Sequence, residues 1–188
     1  MGSTMVARRA GDPPAASLSL LAGVALYDAV THFAGDAPGL TLKWPNDLLW
    51  HKAKLAGVLL EGQGDVIVIG IGVNLSFAPQ LAGRDAVALC AFGHDVPRDD
   101  FAQILADKFA DALAGWRAGQ WPDAILSRWL HRAHPIGTSL FIRAPIDDAP
   151  QAGLTGRFDG LEQDGALRIR LDDGQLRIIH AGEVGVTP

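Results

Sequence analysis

Cysteine is almost missing from this chain: Cys90 is the only one in 188 residues. A single thiol makes no internal disulfide, so the fold is no stapled scaffold, and the count suits a reducing compartment. An excess of positive charge is missing too. Lys and Arg number 16 against 21 Asp and Glu, a formal net charge of −5. That balance argues against a protein that grips nucleic acid through a basic face. No run approaches the roughly 18 consecutive apolar residues of a membrane span, so no transmembrane helix and no membrane partner are expected. Basic residues in Met1 to Ala10 are not followed directly by the apolar block of a secretory leader. What is present is ordinary for a globular chain: 48% hydrophobic residues, 20% charged, 22 Gly and 11 Pro. The length allows one domain, or one plus a small module. A soluble, cytoplasmic protein with both helices and strands is the expectation.

Met1 to Pro14 has little pattern and ends in Gly11-Asp12-Pro13-Pro14, which reads as a loop. Leu18, Leu21, Ala22, Ala25, Leu26, Ala29 and Val30 then fall at helical spacing and predict a helix over 16–34. Ser17 or a neighbour is the expected cap, and Gly35 the stop. Beyond Pro38-Gly39 the pattern turns to strands at 40–43, 48–50, 55–61 and 66–69, parted by turns, which together predict an antiparallel meander. Val66-Ile67-Val68-Ile69 is apolar on both faces and reads as a central buried strand. After a loop over about 76–97, Phe101, Ile104, Leu105, Phe109, Ala112, Leu113 and Trp116 form a helical stripe. Asp99 and Asp100 stand at its favourable N-terminal end. A further helix follows Pro122, with Ile125, Leu126, Trp129 and Leu130 on its apolar face. From His134-Pro135 onward only short strands are legible, at 139–143, 153–159, 166–171 and 175–179, with Asp173-Gly174 as a hairpin turn. A boundary near residue 135 therefore separates a unit over 1–134 from a small β-barrel over 135–188.

The densest polar cluster in an apolar stretch is Lys43-Trp44-Pro45-Asn46-Asp47, with Lys54 seven residues on in Lys54-Leu55-Ala56-Gly57. Lysines neutralise phosphate or carboxylate as point cations. Asp and Asn supply oxygens of the kind Mg²⁺ prefers. Gly57 lets a ligand or backbone come close. The plainer alternative, a simple turn flanked by solvated lysines, stays open on residues alone. Gly70-Ile71-Gly72-Val73-Asn74 is not the dinucleotide fingerprint, because the third glycine is missing and no helix follows at once. Its Asn74 amide is able to read an adenine edge, or to sit in a strand-ending turn. His131 and His134 have no Cys or carboxylate at ligand spacing, so no zinc site is expected. Trp116, Trp121 and Trp129 read as core, and Cys90 as an inert buried thiol.

Three ordered motifs resemble the biotin–protein ligases: Lys-Trp-Pro-Asn-Asp-Leu at 43–48, Lys-Leu-Ala-Gly-Val-Leu-Leu-Glu at 54–61 and Ile-Gly-Ile-Gly-Val-Asn-Leu at 69–75. The helix from Ser17 and the closing Ala181-Gly-Glu-Val are similar as well. The resemblance implies an α+β fold, with a mixed or antiparallel sheet, packed helices and a C-terminal SH3-like β-barrel. It implies two steps: biotin and ATP give biotinyl-5′-AMP, and the acyl group then passes to a lysine of a biotin carboxyl carrier protein of acetyl-CoA carboxylase. By the match, Lys54 meets the biotin carboxyl and the α-phosphate. Lys43, Trp44, Asn46 and Asp47 serve biotin and ATP together with Gly57, Asp47 also holds Mg²⁺, and Asn74 contacts adenine.

The family carries a Gly-Arg-Gly-Arg-x-Gly-Arg run upstream of this first helix, and Arg8-Arg9-Ala10-Gly11 is a poor match to it. That departure implies weak or no ligase activity for the chain by itself. It also implies an exposed sheet edge that favours self-association into a homodimer. Two other readings accompany it: a non-catalytic relative that binds nucleotide, a biotin-like acid or a carrier domain, and a lipoate- or octanoate-type acyl transferase.

Overall fold

The computed structural model describes residues 1–80, 85–143 and 153–186. A proline-free apolar stretch forms α1, Ser17–Ala34, apolar nearly all round with eleven buried residues. By length and composition alone α1 is apolar enough to cross a bilayer, but most of it lies inside the fold, as a core helix does. The expected Ser17 cap does not form. Ala16 takes the cap position without a side-chain bond. Ser17 Oγ instead donates to the Pro14 carbonyl at 2.6 Å and accepts the Trp116 indole N–H at 2.8 Å. Both residues are fully buried, so this serine satisfies a core indole and not a helix end. Gly35 closes the helix as expected, with φ of 65° and its N–H on Thr31 O.

The strands β2 (Leu40–Lys43), β3 (Asp47–Trp50), β4 (Ala53–Gln63) and β5 (Val66–Val73) form the antiparallel meander read from the sequence. A further strand, β1 (Gly2–Ala7), joins them where the sequence suggests only a loop. It pairs with β5 and gives the order β1-β5-β4-β3-β2. Only Val6 of β1 is buried, so there is no apolar alternation to read, and backbone pairing alone makes the strand. β5 is interior to the sheet yet not buried on both faces. Ile67, Ile69 and Ile71 enter the core, whereas Val66 is exposed and Val68 half-buried.

The core face of the sheet packs on α1, which in turn contacts α2 (Arg98–Gly115) and α3 (Asp123–Leu130). Phe101, Phe109 and Ala112 of α2 and Ile125, Leu126 and Trp129 of α3 are buried. Trp116 and Trp129 are core residues, as their spacing suggests. Cys90 is exposed, contrary to the expected buried thiol. It lies on a short 3₁₀ turn, Leu89–Phe92, in which Leu89 is fully buried and Phe92 stacks on Trp50.

A second antiparallel sheet contains β6 (Ser139–Arg143), β7 (Leu154–Leu161), β8 (Leu167–Arg170), β9 (Leu176–Ile179) and β10 (Glu183–Val186), ordered β10-β6-β7-β8-β9. Four of these follow the sequence pattern. β10 buries only Val184 and has no hairpin turn signal before it to announce it. Leu140, Ile142, Phe158, Leu167, Ile169 and Val184 form the buried side of the sheet. The whole is the expected α+β fold, with a small antiparallel β unit at its C-terminal end.

One hydrogen bond ties this unit to the residue after β2: the Trp44 indole N–H donates to Gly165 O at 3.0 Å. Beside it the Leu42 N–H donates to Arg132 O at 2.8 Å, which fastens β2 to the residues after α3. Leu42, Trp44, Trp129 and His134 meet Leu140, Phe158, Leu167 and Val184 across this seam.

Candidate functional site

Cross-strand register lines up one row on the face of the sheet away from the helices. Lys43 is opposite Asp47, Asp47 opposite Gly57, and Gly57 opposite Gly72. Directly paired residues share a face, so the row runs over four strands. Lys54 joins it through an irregularity. In a regular strand, residues three apart point to opposite faces. Leu48 pairs with Ala56 but Leu49 pairs with Lys54, so Leu55 is an extra residue in β4. That bulge sends Leu55 fully into the core and puts Lys54 on the same face as Gly57.

The Lys54 ammonium lies directly over Gly57. A Cβ built on Gly57 meets Lys54 Nζ at 2.9 Å and Asp47 Oδ1 at 3.4 Å. Gly70 and Gly72 continue this floor along β5, where an added Cβ meets nothing closer than 3.9 Å, an ordinary contact with Leu59 and Ser3 at Gly70 and with Met1 at Gly72. Above the floor is a cleft of about 590 Å³, within the range of small-molecule sites. Its polar lining includes Asn46, Lys54, Glu61, Asn74 and Asp85.

Two asparagines fix the walls. Asn46 Nδ2 donates to Val58 O at 2.7 Å, while the Val58 N–H donates to Asn46 O at 2.8 Å, clamping the β2–β3 turn onto β4. Asn74 Nδ2 donates to Lys54 O at 3.2 Å and to Val87 O at 3.1 Å. The Lys54 backbone also pairs with Asp85 and Val87, so residues 85–87 form a wall beside the lysine. Both amide hydrogens of Asn74 are thus engaged among the described residues, which leaves Oδ1 as the side-chain atom suited to accept from a ligand.

Of the residues singled out in the sequence, Asn46, Lys54, Gly57 and Asn74 line the cleft. Asp47 touches it through Lys54. Lys43 and Trp44 lie instead at the seam with the second sheet, where Trp44 is 5% exposed. Trp44 therefore serves packing and the bond to Gly165, and its ring lines the seam and not the cleft. His134 shares that seam. Burial, and then the charge of Lys43, hold its imidazole below the ordinary histidine range, so it is neutral there. Glu61 and Asp85 were not singled out. Glu61 ends the second motif, and the alternation Gly57, Leu59, Glu61 is the signal that could have placed it on the cleft face. Asp85 carries no sequence signal.

A fixed ammonium beside a flat, Cβ-free floor suits a small ligand with a flat ring and an anionic end. That defines an α+β protein with a cation-capped small-molecule cleft. Residues 148–185 match the family described as Biotin protein ligase C terminal domain. Over 97% of its length the chain is 34% identical to the biotin--[acetyl-CoA-carboxylase] ligase of Paracoccus denitrificans and covers 78% of that protein. It is 38% identical to the protein of the same name from Mycobacterium tuberculosis, covering 89% of this chain and 61% of that one. An Aquifex aeolicus structure described as a biotin protein ligase in complex with biotin and ATP shares the fold, with a TM-score of 0.83. That match has 19% identity and covers 98% of this chain and 77% of the other. The chain belongs to the biotin–protein ligase family.

Proposed function

We propose that the cleft takes biotin and ATP and that the chain serves the two-step transfer of biotin to a carrier-protein lysine. The observation that carries this reading is Lys54, set over Gly57 beside the bare floor of Gly70 and Gly72. In the first step a biotin carboxylate oxygen attacks the α-phosphorus of ATP. The Pα–O bond to the β-phosphate breaks and pyrophosphate leaves. Two anions approach one another in that step, so a positioned cation lowers the barrier. Lys54 supplies that cation, and the glycine floor admits a ring flat against the backbone. Asn74 Oδ1 accepts from the exocyclic amine of adenine. In the second step the carrier lysine amine attacks the acyl carbonyl, AMP leaves, and the amine loses a proton. A carboxyl carrier protein is the acceptor, and the cytoplasm is the compartment.

The test is calorimetric titration with biotin and with MgATP, followed by mass spectrometry for biotinyl-AMP. Both ligands are expected to bind and the adenylate to form slowly, because Arg8-Arg9-Ala10-Gly11 is a poor match to the family's Gly-Arg run. Lys54→Ala is expected to cut adenylate formation by about 10²-fold or more, the usual loss when one charge-stabilising donor is removed. Its melting temperature should barely move, because Lys54 is a partly exposed side chain. If neither ligand binds, or if Lys54→Ala retains full activity, the reading fails.

A further inference from the structure

Both oxygens of the Asp47 carboxylate already face cations. Oδ2 stands 3.0 Å from Lys43 Nζ, and Oδ1 is ion-paired with Lys54 Nζ. The Asp47 side chain is 11% exposed, against 18% for Lys43 and 36% for Lys54. The family resemblance implies a Mg²⁺ ligand at this position, and Mg²⁺ does need oxygen donors. The donor set does not fit. A dication on either oxygen stands next to an ammonium in a nearly enclosed place, where like charges repel strongly. Among the described residues, no group of three His, Cys, Asp or Glu is placed to hold a metal.

We propose that Asp47 is a positioning residue that takes no metal: it holds the Lys54 ammonium over Gly57, with Lys43 locking the carboxylate from the other side. The three ions come from the ends of β2 and β3 and from the bulged part of β4, so each is fixed by a different strand. A lysine on a four-carbon stem is otherwise free to sample many rotamers. With two ammonium groups sharing one carboxylate, the group keeps a net positive charge. An anion reaching Lys54 thus meets a cation and not a neutral pair. Lys54 keeps enough exposure to turn its remaining N–H groups to that anion.

This rests on the proposed role of Lys54 in the cleft, but its test needs no ligand. The full chain is labelled with acetic anhydride, and the acetylation of Lys54 is compared by peptide mass mapping with that of exposed Lys52 in the same molecule. Asp47→Asn and Asp47→Ala are each expected to raise the Lys54/Lys52 ratio by about fivefold, the scale of one partly screened ion pair. Mg²⁺ alone is expected to leave the ratio of the native chain unchanged. A ratio unmoved by both substitutions in folded protein overturns the proposal. So does a rise on adding Mg²⁺ to the native chain, since a metal on Asp47 must release Lys54. The Mg²⁺ arm uses no variant and decides even if a substitution prevents folding. A chain that forms no adenylate but gives these ratios sinks the ligase reading and leaves the positioning role standing.

Discussion

At the scale of single residues, Gly57 is the position where the smallest change should matter most. It is glycine because an ammonium occupies the space a side chain needs, with Lys54 Nζ 2.9 Å from an ideal Cβ. The obstructing atom is the far end of a flexible side chain, so Gly57→Ala should move the lysine and not the strand. The expected outcome is a melting point within the range of an ordinary surface change, about 0.5 kcal/mol, together with a clear loss of biotin or ATP affinity in calorimetry. An affinity equal to that of the native chain removes Gly57 from the site. The lysine and its glycine were legible because they stand close in one short motif. The clasp that holds β1 was not. Arg117 donates to Ala7 O at 2.6 Å and pairs with Asp12, two contacts across more than a hundred residues with no local pattern.

At the scale of elements, alternation announced the meander and 3.6-residue spacing announced α2, because each buries one apolar face or stripe, while α1, read by the same spacing, is a long apolar run buried nearly all round. β1 and β10 were silent, each with one buried residue, whereas β9, which also buries one, is announced by the Asp173-Gly174 turn before it. The bulge in β4 was silent too. Ala53-Lys54-Leu55-Ala56-Gly57 reads equally well as a regular strand, and only pairing with β3 shows that Leu55 is surplus. Trp44 misled for a related reason. It stands inside a polar motif, yet from the turn after β2 its ring reaches the second sheet. Trp44→Phe keeps most of the ring and removes the donor, leaving Gly165 O without its partner at the seam. We expect a stability loss of about 1–3 kcal/mol, read as a shift of the denaturant midpoint. Ligand affinity should be nearly unchanged, because the indole does not line the cleft.

At the scale of the whole molecule, acid should act in two stages. His134 is held below its ordinary range by burial and then by Lys43, so the fold prefers its neutral form. Its contribution is complete above about pH 6.5 and is lost as the pH falls from there toward the lower folded value. Asp159 is held below the carboxylate range by its bond from Arg168, opposed in part by burial and helped by Arg170. Burial pushes Asp12 up, but the Arg9 N–H and Arg117 outweigh it and the net direction is down. Both carboxylates contribute fully above about pH 3.9, and this is lost as the pH falls through their lower folded values. Melting temperature measured from pH 8 to pH 3 should fall gently below about 6.5 and more steeply below about 4. His134→Gln should remove the gentle stage alone, and a native-like profile in that variant counts against the assignment.

The seam has one more consequence. Leu42, Trp44 and Trp129 are sealed by side chains of the second sheet, so separating the two sheets would bare two indoles and a leucine to water. Neither sheet therefore has a stable surface of its own along that line, although the chain changes architecture there. Heat should take both apart in one cooperative step, with calorimetric and van't Hoff enthalpies equal. Produced separately, the two parts should each aggregate, since each bares its apolar half of this seam to water.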